Sequence, residues 1–376
     1  MKAIGIVAEY NPFHNGHKYH IEKAKEKSGA EVCVVIMSGD FTQRGEPACQ
    51  DKWTRARWAL NNGADLVIEL PTVYATSNAD IFTKGSISIL EKLNVDYISF
   101  GIDMEKSRIL EVSKIINEYR YELGEQVKAL VKEGYSYPKA RAEALGIKEF
   151  KSPNSILALG YLESIKKAKP IMIERVGAGY NDLTVSEYAS STGIRKMVAD
   201  GEDYASYVPK DVNNVLHFNK EKIWEMAISK AMEMRPEDID QINSADEGFG
   251  NLIKKIARNT STYDELLTEL KSKRYTQTRI KRFILQLVLG ITIDDVKNAT
   301  EFVRVLGFND KGSKLLNEFK KSDPEIEIIS NVNRDKVNRT LAIDIHANDL
   351  YNIIYHRDLY ENSDFVQKPV ILTVDK

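Results

Sequence analysis

Cysteine is scarce in this chain, with Cys33 and Cys49 the two present among 376 residues. That excludes a secreted disulfide framework and a four-cysteine zinc site within one chain. Long apolar runs are missing too: none approaches the ~20 residues that a membrane span requires. The N-terminal MKAIGIVAEYNPF carries a short apolar stretch with no small-residue cleavage site after it. No signal peptide is read there, and the expected location is cytoplasmic. Charge of one sign does not dominate, since 53 basic residues face 55 acidic ones for a net charge of −2. The whole molecule is no polycation, so any nucleic-acid contact must come from a local patch. Internal repeats and low-complexity tracts are absent. So are two common phosphate-binding loops, G-x-x-x-x-G-K-[ST] and a G-x-G-x-x-G after the first strand. A nucleotide site here would have to use histidine chemistry.

What is present reads as ordinary globular protein, 43% hydrophobic and 29% charged. The length suits about two or three domains and a sizeable core. Five short, nearly continuous apolar runs stand out: Ala3–Ala8, Val32–Met37, Asp65–Leu70, Val95–Phe100 and Pro170–Ile173. Such Val- and Ile-rich runs suit strands buried on both faces of a parallel sheet. The first four begin roughly 30 residues apart, the length of a βαβ unit. Helix patterns fill the gaps at His17–Lys27, at Lys52–Asn62 after the N-cap candidate Asp51, and at 78–92. In the last of these Ile81, Phe82, Ile87, Ile89 and Leu90 form the buried side. An insertion over 105–165 reads mostly helical. This predicts an open α/β sheet with helices on both faces, a Rossmann-like arrangement.

After about Pro209 the strand-like runs stop and amphipathic helix patterns follow to about Lys321, with Pro236 at a first-turn position. Glu325–Ser330 and Thr340–Ile345 read as strands, and Asn348–His356 as a helix. The expected division is therefore an α/β domain over 1–208 and a mainly helical region over 209–376 with a small α/β end.

Open α/β sheets bind ligands beyond the carboxyl ends of their strands. After the first, second, fourth and fifth runs come EYNPFHNGH, SGDFTQRGEP, FGID and ERVGAGYND. Gly, Asn, His, Asp and Arg gather there, as a ligand cleft requires. Three of the six histidines, His14, His17 and His20, fall within seven residues. Pro12 and Gly16 shape a turn before the helix, and His17 sits at the helix start, where free N–H groups and the dipole favour an anion. Three readings stand side by side. The first is a structured turn with exposed histidines. The second is a metal site, although His17 and His20 are three apart and the usual helical zinc pair is four apart. The third, which the placement favours, is a nucleotide-phosphate site in which imidazoles donate hydrogen bonds to phosphates.

His14-Asn15-Gly16-His17 carries the His-x-Gly-His signature, and Ser190-Ser191-Thr192-Gly193-Ile194-Arg195 looks like the second nucleotidyltransferase signature. In that order and at helix starts, the two identify the HIGH-motif nucleotidyltransferase superfamily. EYNPFHNGH, SGDFTQRGEPA, ADLVIELP, KSPNSILALGYL, ERVGAGYND and YTQTRIKRFILQLVLG together resemble the tRNA(Met) cytidine acetate ligase family over about residues 1–300. The resemblance implies that domain 1–208 is a Rossmann-like nucleotidyltransferase. It implies activation of acetate by ATP to acetyl-adenylate, then acetyl transfer to the exocyclic amine of the wobble cytidine of elongator tRNA(Met). No membrane and no DNA partner is expected.

The resemblance further places ATP along Val7, Ala8, Glu9, Tyr10, Asn11, Pro12, Phe13, His14, Asn15, Gly16, His17, Lys18, Tyr19 and His20, with contacts at Gly101, Asn154 and Arg175. Gly101 follows the fourth run, where a missing side chain would let adenine or ribose approach the backbone, unless it is a simple turn glycine. Asn154 follows Pro153 at a helix start and can equally serve as a cap. Arg175 can pair with phosphates bidentately or form a surface ion pair. His14, His17 and Arg195 are the expected catalytic residues, with Arg195 on the β/γ end and Ser191 and Thr192 offering hydroxyls or a cap. Lys18 is read equally as a solvated lysine, and His20 as a packing residue. Asp40 or Glu46 is weighed as a proton acceptor against plain turn roles. ATP chemistry calls for a magnesium ion, and without a dedicated acidic cage in the sequence the ion is expected to be held by ATP and water. No protein metal ligand is assigned.

Residues 254–282 hold nine basic residues against three acidic ones. Lys254, Lys255, Arg258, Lys271, Lys273, Arg274, Arg279, Lys281 and Arg282 supply the charge, and Tyr275 among them is a candidate base-stacking residue. This is the expected tRNA-binding segment; a solvated helical face is the alternative. Two other functions remain open: a small-molecule adenylyltransferase, and a non-catalytic RNA-binding protein with a nucleotide pocket.

Overall fold

Along the first three strands, side chains alternate between two apolar layers, as the two-residue strand period dictates. Ala3, Val32, Val34, Ile36, Leu66, Ile68 and Leu70 point to one layer. Ile4, Ile6, Cys33, Val35, Met37 and Val67 point to the other. The computed structural model describes residues 1–146, 153–175, 188–272, 275–322, 326–357 and 362–373. Within them the strands are β1 Ala3–Ala8, β2 Val32–Ser38, β3 Leu66–Leu70, β4 Tyr97–Ile102, β5 Lys169–Glu174, β6 Val303–Asn309, β7 Ile328–Ile329 and β8 Val370–Leu372. Five of these match the five apolar runs to within two residues at each end. The order is β5-β4-β1-β2-β3-β6-β7, with β8 also on β6. The first five strands are mutually parallel.

Helices cover both faces. Asn15–Ser28, Lys52–Asn61 and Ser191–Asp200 bury Ile21, Ala24, Trp53, Ala56, Ala59 and Ile194 on one face. Ala79–Lys92 and Pro153–Ser164 bury Phe82, Ile87, Leu90, Ala158 and Leu159 on the other. Asp51 caps Lys52–Asn61 as the sequence predicts, its carboxylate accepting from the Thr54 N–H at 2.8 Å. The first helix begins two residues earlier than the pattern suggests, because His14, in extended backbone, already serves as its N-cap.

Three expectations for the C-terminal part are overturned. Strands do not stop after Pro209: β6 pairs antiparallel with β3, matching Leu66 with Phe308. Arg304, 1% exposed, interrupts the apolar pattern of β6, and its guanidinium is taken up by Asp364 at 3.4 Å and by the Ser330 carbonyl at 3.0 Å. Thr340–Ile345 is no strand; it lies within the helix Arg339–Ile354. Asn338 caps that helix through the Leu341 N–H, and the burial of Leu341, Asp344, Ala347 and Tyr351 follows helical spacing. The expected strand Glu325–Ser330 shrinks to β7, and Glu325 lies outside the described residues.

The helices Lys220–Glu233, Phe249–Ala257, Tyr263–Leu270 and Gln277–Leu289 pack Ile223, Ala227, Ile253, Leu266, Phe283 and Leu287 into a core continuous with the second face of the sheet. Sheet and core thus both run across the expected boundary at 208/209. No helix among the described residues is long and apolar enough to cross a membrane.

Candidate active site

The chain leaves β1 through a tight turn. Tyr10 takes a left-handed φ of 46°, and the Asn11–Pro12 bond is cis. Asn11 is held from its side chain, whose Oδ1 accepts from the Cys49 N–H at 2.7 Å. Phe13 is fully buried against Tyr10 and His17, with ring centroids 4.7 and 5.5 Å away. The turn presents a cavity of about 530 Å³ at the carboxyl ends of β1, β4 and β5. The helices Asn15–Ser28 and Ser191–Asp200 both begin at its wall, so two sets of free N–H groups face the same space.

His14 and His17 stack with ring centroids 3.7 Å apart. The His14 backbone N–H donates to His17 Nδ1 at 3.3 Å. An Nδ1 that accepts leaves the proton of the neutral ring on Nε2, where it is available as a donor. Burial, reinforced by Arg175, pushes His14 down to about 3 and His20 down to about 4. Burial first, then His14, His20 and Arg175, holds His17 well below its ordinary value. The site therefore holds three neutral imidazoles at pH 7. His20 Nε2 lies 2.8 Å from the Ser99 hydroxyl. Gly16 cannot carry a side chain without moving His14, because a Cβ there would stand 2.9 Å from His14 Cε1.

Arg195 donates to the Asn11 carbonyl at 2.6 Å and lies 3.8 Å from Glu46. The Ser191 hydroxyl donates to the Pro12 carbonyl at 3.2 Å, and Ser190 caps its helix through the Gly193 N–H. The second signature is thereby tied to the first.

Of the expected site residues, Val7, Ala8, Glu9, Tyr10, Asn11, His14, Gly16, His17, Tyr19, His20, Gly101, Asn154, Arg175, Ser191, Thr192 and Arg195 line this one cavity. Pro12, Phe13, Asn15 and Lys18 stand outside the lining. Phe13 is core, Asn15 donates to the Ser206 carbonyl at 3.0 Å, and Lys18 is exposed. Asp40 is 1% exposed, 3.6 Å from the buried ammonium of Lys52 and bonded to Asn348, away from the cavity. Glu46 accepts from Lys281. Residues 176–187 of the loop after β5 lie outside the described residues.

Gln43 and Arg44, in the strand-end loop that the sequence places at the ligand edge, line the cavity too, whereas sequence reasoning missed Phe82, Phe100, Tyr161 and Tyr188. Gln43 and Arg44 stand in the loop after β2, where strand-end position was a usable signal. Phe82 and Phe100 carry none, because a core aromatic and a cavity-wall aromatic obey the same pattern.

The basic segment divides in two. Arg279 donates to the Ser244 carbonyl and to Asp246, and stacks 4.8 Å over Tyr275, which itself packs on Phe249. Arg282, pushed down to about 10 by burial, donates to the Gln43 carbonyl at 3.4 Å. Lys281 bonds Glu46, and Lys254 bonds the Met232 carbonyl. Tyr275, Arg279, Lys281 and Arg282 thus hold helices and the loop after β2 together. Lys255, Arg258 and Lys271 are exposed and make no ion pair among the described residues. Lys273 and Arg274 lie outside those residues.

The profile of the HIGH Nucleotidyl Transferase family matches residues 1–364. A tRNA(Met) cytidine acetate ligase of Lysinibacillus sphaericus is 40% identical over 94% of this chain and 94% of its own. One of Clostridium perfringens is 36% identical over 99% of this chain and 100% of its own. The crystal structure of Thermotoga maritima TmcAL bound with alpha-thio ATP matches with a TM-score of 0.88 at 28% identity, covering 100% of both chains. The Rossmann-like nucleotidyltransferase fold expected from the signatures is therefore the fold observed. With two helix starts, a histidine pair and an arginine around one cavity, and with these matches along nearly its whole length, the chain belongs to the HIGH nucleotidyl transferase family and, within it, to the tRNA(Met) cytidine acetate ligases.

Proposed function

We propose that this chain activates acetate with ATP and transfers the acetyl group to the exocyclic amine of the wobble cytidine of elongator tRNA(Met). The observation that carries the reading is the convergence of both nucleotidyltransferase signatures on one cavity. An acetate oxygen attacks the α-phosphorus of ATP, and pyrophosphate leaves with the electron pair of the broken P–O bond. The cytidine nitrogen then attacks the acetyl carbonyl carbon, and AMP leaves.

His14 and His17 donate hydrogen bonds to the phosphates as charge shifts toward pyrophosphate. Neutral rings suit this role, because they donate without adding a dense fixed charge to the ground state. Arg195 is always cationic and grips the β/γ end. Asn154 and Gly101 line the same cavity and take the nucleoside portion, while Arg175, whose charge acts on the three histidines, pairs with phosphate. Ser191 and Thr192 add their helix N-terminus. No group of three or more His, Cys, Asp or Glu side chains among the described residues is arranged to hold a metal. Magnesium would arrive with ATP, held by its phosphates and water. Lys255, Arg258 and Lys271, with charges not consumed inside the fold, are the tRNA-facing part of the basic segment.

The test is ATP–pyrophosphate exchange with labelled pyrophosphate, run with acetate and related acids, with and without total tRNA. Acetate-dependent exchange, together with label from acetate in tRNA, is the expected result. Exchange driven by a phosphorylated metabolite and by no carboxylic acid would replace this reading with a small-molecule adenylyltransferase.

A further inference from the structure

Different arginines act on the histidines and on Glu9. Arg175 is the arginine that acts on all three histidines. The cations acting on Glu9 are Arg44, Arg195 and Arg55 instead. Glu9 directly follows β1. Its Oε1 accepts from the Gln43 backbone N–H at 2.8 Å. Among the described residues nothing donates to Oε2, and the side chain lines the cavity. Phe82, Phe100 and Tyr161 line the same cavity, the last two with ring centroids 5.3 Å apart. An acceptor carboxylate beside aromatic rings matches a flat nucleobase that carries an amino group, since the rings pack on its face and the carboxylate accepts from its N–H.

The helical region that carries the basic segment packs on the loop that holds Glu9. A Cβ on Gly45, whose φ is +76°, would stand 2.5 Å from the Arg282 backbone nitrogen. The loop that fixes Glu9 through Gln43 is thus pressed against the basic helix Gln277–Leu289, and Arg282 donates to the carbonyl of the same Gln43.

We propose that Glu9 is the catalytic base of the transfer step, and that the aromatic end of the cavity receives the cytosine. This rests on the acetate-ligase reading above and assigns a residue to its second half. As the amine nitrogen bonds to the acetyl carbonyl carbon, the C–O bond to AMP breaks and its electron pair leaves on the phosphate oxygen. The displaced N–H proton passes to Glu9 Oε2 and then to water. Burial raises the carboxyl above its ordinary value, toward the pH at which a base works best.

The experiment compares Glu9→Gln with wild type in acetate-dependent exchange and in transfer of labelled acetate to tRNA transcript. Transfer is expected to fall about 100-fold or more, the usual weight of a positioned base, and at least about thirtyfold further than exchange. Wild-type transfer should rise with pH through the Glu9 pKa, and the variant should lack that limb. Equal falls in exchange and transfer would put Glu9 in ATP binding and overturn the proposal. So would an effect confined to the acetate KM, or no effect. If Glu9→Gln does not fold, Glu9→Asp, which keeps the charge one methylene short, is read by the transfer-to-exchange ratio alone, since it keeps a titrating carboxylate. Wild type without acetate-dependent exchange would instead sink the ligase reading, and this role with it.

Discussion

Gly16 and His14 show how closely this site is fitted. The imidazole of His14 occupies the space a Cβ on residue 16 would need. Gly16→Ala should therefore displace His14 and lower acetate-dependent exchange at least about tenfold, within the usual effect of losing one positioned donor, while circular dichroism stays unchanged. The histidines also set a pH dependence. The unfolded chain protonates His20 near its ordinary value of 6.5, whereas the folded chain resists protonation until about 4. Stability from this group is present above pH 6.5 and is lost as pH falls toward 4. Urea unfolding of His20→Asn should show a shallower loss over that window than wild type. The His-x-Gly-His signature was readable because its residues are sequence neighbours. The neutrality of the rings was not, since it comes from burial in the fold and from the charge of Arg175, more than 150 residues away.

At the scale of elements, the helix Lys52–Asn61 was predicted with its cap, yet nothing in the sequence pattern marked Lys52 as buried. Lys52 is fully buried, with its ammonium 2.8 Å from Glu69 and 2.9 Å from Asp364. Burial pushes the carboxyls of Glu69 and Asp344 up, and the ammonium of Lys52 opposes it. Lys52→Met should cost about 3–5 kcal/mol in chemical unfolding, because it strands buried carboxylates without their cation. The basic helices divide the same way. Reversing Lys255 and Arg258 to Glu should weaken tRNA binding and flatten its salt dependence by about 0.7–0.9 per lost phosphate contact. Arg282→Ala should chiefly lower the melting temperature, because Arg282 holds the loop after β2. A charge count treats these residues alike; burial separates them.

For the whole molecule, β6 is the decisive connection. It covers the edge of β3, and it carries β7 and β8 on its far side. A chain ending at residue 302 would leave β3 as a long apolar edge without its antiparallel partner. It should fail to give a cooperative thermal transition and should aggregate on size-exclusion chromatography. A sharp melt and a monomeric peak would show instead that residues 1–302 fold on their own.

Local chemistry along the chain was enough for the five parallel strands, most helices between them, both signatures and the family they mark. Strand period, helix period, caps and short motifs all act over a few residues, so they can be read in order. Folding in three dimensions assigned the rest: β6 beside β3, Lys52 among carboxylates, Arg282 on the Gln43 carbonyl, and Glu9 in one cavity with Phe100 and Tyr161. Each of these joins residues far apart in sequence, and burial then changes what a charged side chain does. A lysine or glutamate carries the same letter in water and in a core, and only its surroundings set its charge, its partners and its chemistry.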